Sequence, residues 1–338
     1  MKNIADIAKI AGVSKSTVSR YLNNGSVSLK TQQKLDKIIR ENDYQPNQFA
    51  QSLRARRTNM IGAIIPRMNS FAVDETIKGV KTICDQLNYS LLLNYTNLNI
   101  QLEIDALETF YRSKVDGIVF MATEITDQHL EVINKINVPV IIVGQAHDDL
   151  HCIIHNDYQA GYLVGDMLGQ QGYNDIKFFG VTESDIAVGV QRKEGLIAGL
   201  EVHNIQPEIS LTSFNYQEAM VDVVEALQAY PHYDAIVGAT DSIALAIHKY
   251  NSEHTPHAHE KYIVGFGGDP VTDIVSPSIH TVNYNFEYAG SVAMDKLNQM
   301  IQHQEIEQRI IIDVEQSFKK LKEKWYDKKY IMEPVPFK

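Results

Sequence analysis

Residues 4–24 read IADIAKIAGVSKSTVSRYLNN. Ile4, Ile7, Ala8 and Ala11 recur at helical spacing. Gly12 ends that helix, and Val13 is placed as an apolar plug in the turn. Ser14 is a good N-cap for a second helix. In it Val18, Tyr21 and Leu22 can face a core, while Lys15, Ser16, Thr17 and Arg20 face outward. The only charges on that face are positive, whereas a face serving solubility alone would more often mix Glu with Lys. Asn23, Asn24 and Gly25 end the second helix. A third, capped by Ser28, runs over roughly 29–42 with Leu35, Ile38 and Ile39 inward. A helix, a short turn and an outward-facing helix make the helix-turn-helix pattern.

Charge separates this head from the rest. Residues 1–57 hold eleven Lys/Arg and four Asp/Glu, a net of +7. The remaining 281 residues hold 20 and 38, a net of −18. A basic head on an acidic body points to nucleic acid for the head alone, although the whole-chain pI is near 5.5. No apolar run reaches the length of a membrane span. The N-terminus, with Asp6 and no apolar block, does not read as a signal peptide. Two cysteines, Cys84 and Cys152, suggest reduced thiols in a cytoplasmic protein.

Next comes DYQPNQFAQSLRARRTN, residues 43–59. Pro46 suits the first turn of a helix. Residues 47–55 can form a short one, with Phe49, Ala50 and Leu53 on one stripe and Arg54, Arg56 and Arg57 as a basic end. So short a helix is not stable alone in water, and it reads as a hinge that folds against a partner. From Met60 short apolar runs alternate with amphipathic stretches: MIGAIIP, YSLLLNY, VDGIVFM, VPVIIVG, DIKFFGV, YDAIVGA and KYIVGFG. Such runs are the mark of parallel strands with helical crossovers. They predict two α/β subdomains with a cleft between them and ligands at the carboxyl ends of the strands.

Catalysis has no named carrier. There is no G-x-S-x-G, P-loop or H-E-x-x-H, so the chain is not expected to be an enzyme. GFGGD at 265–269 is not a dinucleotide fingerprint, and no cofactor is expected. HDDLHCIIH at 147–155 places His147, His151 and His155 four apart, but in an extended segment that spacing does not converge on a metal. HTPHAHE at 254–260 reads as a solvated loop.

The stretch from residue 4 to 24 resembles, nearly position for position, the head motif of the lactose/galactose repressor (LacI/GalR) family of bacterial transcription factors. YQPNQFAQSLRARRTNMIGAIIP matches that family's hinge and entry into its core. HNDYQAG, QRKEGL, ATDSIALA, VGFGGDP and HTVNYNF match its core landmarks in order. Within the family, IPRMNSFAVDETIKGV resembles the sucrose operon repressor group. The resemblance runs from residue 2 to about 318 and implies a helix-turn-helix head over 1–46 and a hinge over 47–59. It implies a core over 60–318 with a type-I periplasmic-binding-protein-like α/β fold of two parallel-sheet subdomains. The N-subdomain would take 60–156 and 287–312, and the C-subdomain 157–286 and 313–318, leaving a tail at 319–338.

The resemblance implies a homodimer on a near-palindromic operator, with no membrane role. Lys15, Ser16, Thr17, Ser19 and Arg20 would meet bases and phosphates in the major groove. Asn24, Tyr44, Asn47, Ala50 and Arg54 would complete the interface, with Leu53 wedged between base steps in the minor groove. A sugar or sugar phosphate effector would meet Phe71, Ala72 and Asp74 from the loop after the first strand, with Asp157 and Arg192. Phe214, Tyr216, Tyr284 and Phe286 would supply ring faces. Each charge has a structural rival: Asp157 as a helix cap, Arg192 in an inter-strand salt bridge, Asp269 in the turn before Pro270. Thr240 stands where some members have Asn. Gly267 stands where many carry an acidic residue, and Asp269 can substitute for it.

The leading expectation is a repressor of a sugar-utilisation operon, sucrose above others, released by effector. A catabolite-control-type regulator needing a phosphorylated carrier protein is an alternative, as is a sugar-binding protein with no DNA role. The tail KKLKEKWYDKKY lacks heptads, so a dimer is expected over a tetramer.

Overall fold

The computed structural model describes residues 3–22, 25–42, 44, 57–254 and 261–314. The chain divides into two compact units, 1–59 and 60–338. The first holds α1 (Ile4–Ala11), α2 (Lys15–Leu22) and α3 (Leu29–Glu41). Asn3 caps α1, its Oδ1 accepting the N–H groups of Ala5 and Asp6 while Asp6 returns a bond to the Asn3 N–H. Gly12 ends α1 in the left-handed region at φ 62°, which only glycine adopts freely. Ile7, Ala8, Ala11, Val18, Leu35 and Ile38 make the core of the unit. It is a small core, and caps at Asn3, Ser14 and Ser28 stand at the starts of its three helices.

The second unit contains two wholly parallel sheets. The first takes β1 (Met60–Ile65), β2 (Ser90–Tyr95), β3 (Gly117–Met121), β4 (Val140–Val143), β5 (His151–His155) and β11 (Arg309–Ile312). Their order is β11-β5-β4-β3-β1-β2. The second takes β6 (Ile176–Gly180), β7 (Glu208–Leu211), β8 (Ala235–Gly238), β9 (Tyr262–Gly267) and β10 (His280–Asn283), ordered β10-β9-β8-β6-β7. The connecting helices are α4 (Phe71–Gln86), α5 (Ile100–Arg112), α6 (Asp127–Ile136), α7 (Asp157–Gln170), α8 (Arg192–Glu201), α9 (Tyr216–Ala229), α10 (Asp241–His254), α11 (Val271–Ile274) and α12 (Phe286–Ile301).

Helices on both faces explain the uninterrupted apolar runs. On β1, Ile61, Ala63 and Ile65 enter one core cluster and Ile64 the other, so neither face is left for polar residues. The chain leaves the first sheet after β5, builds the whole second sheet, and returns through α12 to lay β11 beside β5. α12 packs on α4 so closely that a Cβ at Gly290 would lie 1.9 Å from the Thr76 carbonyl oxygen. Cys84 and Cys152 are buried free thiols. Among the described residues no helix is long and apolar enough to cross a membrane.

Candidate functional site

In the head, Ser14 Oγ accepts the Thr17 N–H at 3.1 Å and bonds the hydroxyls of Ser16 and Thr17 at 2.7 and 2.8 Å. This fixes the first turn of α2. Val18 points into the core and is fully buried, which turns Lys15, Ser16 and Arg20 outward as exposed side chains. Thr17 and Ser19 are half-buried beside them. Tyr21 holds α2 to α3 through a bond to Asp36. Tyr44, expected at the DNA, is packed into the head's own core, and burial raises its phenol pKa. Asn24, Asn47, Ala50, Leu53 and Arg54 lie outside the described residues, as do 255–260 of HTPHAHE and the tail.

The second site is a cavity of about 150 Å³ between the two sheets. Its walls are the loops at the carboxyl ends of the strands: Arg67 after β1, Thr123 after β3, Gln145 after β4, Asp157 after β5. From the second sheet come Asp185, Phe214, Thr240, Asp241, Asp269 and Tyr284. In parallel α/β sheets the strand ends point their loops into one crevice, so the topology alone makes it.

Arg192 and Asp157 form its floor. Arg192 Nε donates to Asp157 Oδ1 at 3.0 Å, and Nη2 donates to the same oxygen. Nη1 donates to the Ala239 carbonyl. Tyr284 OH donates to Asp157 Oδ1 at 2.9 Å. The guanidinium carbon lies 4.9 Å from the Phe266 ring centroid and 4.7 Å from that of Tyr284. Close helix packing delivers the pair. A Cβ at Gly161 of α7 would sit 2.1 Å from the Arg192 carbonyl oxygen, and one at Gly195 of α8 2.0 Å from that of Tyr158. Only glycine lets the two backbones approach so closely. The cap of α7 is Asn156, whose Oδ1 accepts the Gln159 N–H, so Asp157 is left for Arg192.

At the Gly267 end, Asp241 Oδ1 accepts from Thr281 Oγ1 at 2.6 Å and Oδ2 accepts from the Asp269 N–H at 2.8 Å. A Cβ on Gly267 would lie 2.7 Å from Asp241 Oδ2, and the φ of 150° there is one that side chains rarely adopt. The space a residue-267 side chain would use is therefore held by Asp241. Asp269 also lines the cavity, while its Oδ1 accepts the Val271 N–H. Asp185 Oδ1 accepts from Val188 N–H and from Gln145 Nε2 at 2.7 Å. Burial pushes the carboxyls of Asp185 and Asp241 up to about 6.

The cavity thus gathers Phe71, Ala72, Asp157, Arg192, Phe214, Thr240, Asp269, Tyr284 and Phe286. Asp74 and Tyr216 are not among its lining residues. Phe71 opens a helix rather than a loop, and the helical twist turns Asp74 to solvent, where it pairs with Lys78 at 3.0 Å. Sequence reasoning missed Arg67, Gln145, His155, Asp185 and Asp241. The one signal for them was position, since each follows or ends a strand. HCIIH forms β5, and of its histidines His155 enters the cavity while His151 bonds the Glu307 carbonyl at the sheet edge. Among the described residues no three metal-binding side chains converge.

Residues 3–47 match the model for bacterial regulatory proteins of the lacI family. Residues 58–320 match that for periplasmic binding proteins and the sugar binding domain of the LacI family. The chain is 98% identical over 318 residues to the sucrose operon repressor of Staphylococcus xylosus, an alignment covering 94% of this chain and 99% of that protein. It is 28% identical over 313 residues to the HTH-type transcriptional regulator RegA of Clostridium saccharobutylicum, covering 90% and 94%. The lac repressor bound to ONPG in its repressed state matches with a TM-score of 0.84 at 22% identity, covering 92% of this chain and 97% of that one. At that identity the likeness is one of fold.

Proposed function

The chain belongs to the LacI family of bacterial regulatory proteins, and from that membership we propose that it represses a sucrose-utilisation operon from a palindromic operator. The observation that carries the reading is its near-identity, over almost the full length of both chains, to the Staphylococcus xylosus repressor. The exposed α2 face supports the DNA role. Lys15 offers donors to guanine acceptors, and Ser16, Thr17 and Ser19 can donate or accept at base edges. Arg20 supplies a base or phosphate contact at the end of α2. The protein works as a cytoplasmic homodimer, since two heads are needed for a two-fold site. Exposed Leu93, Tyr95, Leu98 and Leu102 on and after β2 suit such a contact.

The cleft takes the effector. Asp157 and Arg192 each keep hydrogen-bonding capacity beyond their mutual pairing, and Phe214, Tyr284 and Phe286 offer ring faces for a sugar. The effector bridges loops from both sheets, so its binding favours one arrangement of the two halves. That shift reaches the DNA through the dimer contact and the hinge, and a coupling of about 1–3 kcal/mol per site suffices for substantial release. Operator must weaken effector binding by the same factor.

Fluorescence anisotropy of the full chain on the palindrome upstream of the sucrose genes tests this. Affinity falls steeply with salt, as expected when several phosphates are neutralised. Sucrose, fructose or one of their phosphate esters releases the DNA. Release by none of these, with binding to DNA only in the presence of a phosphorylated carrier protein, would replace the reading with a catabolite-control regulator.

A further inference from the structure

Arg67 is the cleft's unexplained cation. It follows β1 and Pro66, and its guanidinium carbon lies 4.3 Å from the Phe214 ring centroid. Its Nε is buried with no hydrogen-bond partner, and among the described residues it forms no ion pair. Burial without a partner lowers its pKa, and the one acidic group whose field reaches it is Asp185. The Asp185 carboxylate already serves Val188 and Gln145. Arg192, in the same cavity, shows what a satisfied guanidinium looks like there: a carboxylate, a carbonyl and two rings.

The wall beside Arg67 is the start of α4. Ser70, Phe71, Ala72 and Val73 line the cavity with it. The first N–H groups of a helix have no partner inside it, and they carry the positive end of its dipole. Ser70 makes no capping bond to them. Opposite in chemistry is His155, 9% exposed and lining the same cavity, with Nε2 unpartnered. Burial pushes this imidazole's pKa down to about 4, and its other nitrogen donates to the Tyr284 backbone, so Nε2 of the neutral ring is left as an acceptor for a donor such as a sugar hydroxyl.

We propose that Arg67 and the N-terminus of α4 form an anion subsite, and that the effector is a phosphorylated sugar, its ester seated there and its hydroxyls facing His155 and the Asp157–Arg192 pair. The proposal rests on the cleft being the effector site. A guanidinium and helix N–H groups are the donors that bind phosphate oxygens best. The phosphate replaces the missing carboxylate, and Phe214 keeps the guanidinium oriented. A neutral sugar would leave this half-buried cation, with its Nε sealed off, unanswered.

Isothermal titration of the full chain with sucrose, fructose, their 6-phosphate esters and inorganic phosphate tests it. The preferred ester binds roughly 10- to 100-fold more tightly than its parent sugar, the range for hydrogen bonds to a charged group. Arg67→Gln removes that preference while the parent sugar's affinity stays within about threefold, and Arg67→Lys restores part of it. Thermal unfolding of both variants without ligand checks that they are folded. Equal binding of ester and parent by the native protein overturns the proposal and leaves the repressor reading intact. So does an equal loss for both ligands in Arg67→Gln, which would make Arg67 a clasp between the two halves. If no sugar or ester binds while operator still does, the effector-cleft reading falls, and the subsite with it.

Discussion

Two arginines face one cavity, each against an aromatic ring, and they differ in everything else. Arg192 is 5% exposed and spends three N–H donors on Asp157 and Ala239. Arg67 forms no ion pair among the described residues, and its Nε has no hydrogen-bond partner. A buried charge that is fully partnered belongs to the architecture, because losing either partner strands the other. Arg67 is half-buried with its Nε sealed off and unpartnered; that is a cost the fold carries, and such costs collect where a ligand completes the set. The cavity therefore has a built floor and an open wall.

The sharpest way to break this contrast is to turn Arg192 into a second Arg67. Asp157→Ala removes the acceptor shared by Arg192 and Tyr284. Stripping one partner from a buried pair costs about 3–5 kcal/mol, since the remaining charge is uncompensated. Urea unfolding followed by circular dichroism reads the loss, and a cost below about 1 kcal/mol would place the pair outside the architecture. Asp157→Asn, which keeps an acceptor, falls between.

Titration of His155 sharpens the same contrast by pH. Its pKa is pushed down to about 4 by burial, against 6.5 for a free imidazole. Between those values the unfolded chain binds the proton and the folded chain does not. Stability is then fully present above pH 6.5 and drains away as pH falls toward 4, by up to about 3 kcal/mol. Asp185 and Asp241 act with opposite sign. Their carboxyls stand near 6, so the folded state binds protons first and gains stability as pH falls through that region. Unfolding free energies at pH 7 and 4.5 for the native protein and His155→Phe separate the contributions. The native protein loses more than the variant on acidification; equal losses would mean that His155 is solvated when folded.

How much of this was legible in the sequence follows from which residues obey a period. The head was readable in full outline, because caps and a 3.6-residue apolar stripe state a helix locally. Seven strands were readable as apolar runs; six of them are buried on both faces, while the edge strand β2 leaves Leu93 and Tyr95 exposed. β7, β10 and β11 were not: EISL, HTVN and RIII are four-residue edge strands with polar or mixed faces. In the cleft, Asp157 and Arg192 were legible through the family resemblance, and Phe214 and Tyr284 as ring faces; Asp157, Phe214 and Tyr284 also follow strand ends, whereas Arg192 opens α8. Arg67 carries no local signal beyond its place after Pro66, and the unpartnered state of its Nε is a property of the fold alone. Asp241 was overlooked beside Thr240, although its carboxylate is what leaves no room at Gly267. Asp74 was misplaced by a boundary. Read in a loop it can turn inward; in a helix that begins at Phe71, Val73 and Thr76 take the cavity side.

Asp74 also gives the smallest expected effect. It is the carboxylate nearest Arg67 in sequence, and had it turned inward it would have been Arg67's counter-charge. Instead it is exposed and pairs with Lys78 on the outer side of α4. Exposed pairs of this kind contribute little, so Asp74→Asn leaves the affinity for a phosphorylated sugar within about twofold of the native value. A marked rise in that affinity would mean that the carboxylate reaches the cavity in solution and competes with the ester for Arg67. The contrast between the two arginines would then be one of occupancy, with Arg67 partnered by its own chain until the effector displaces it.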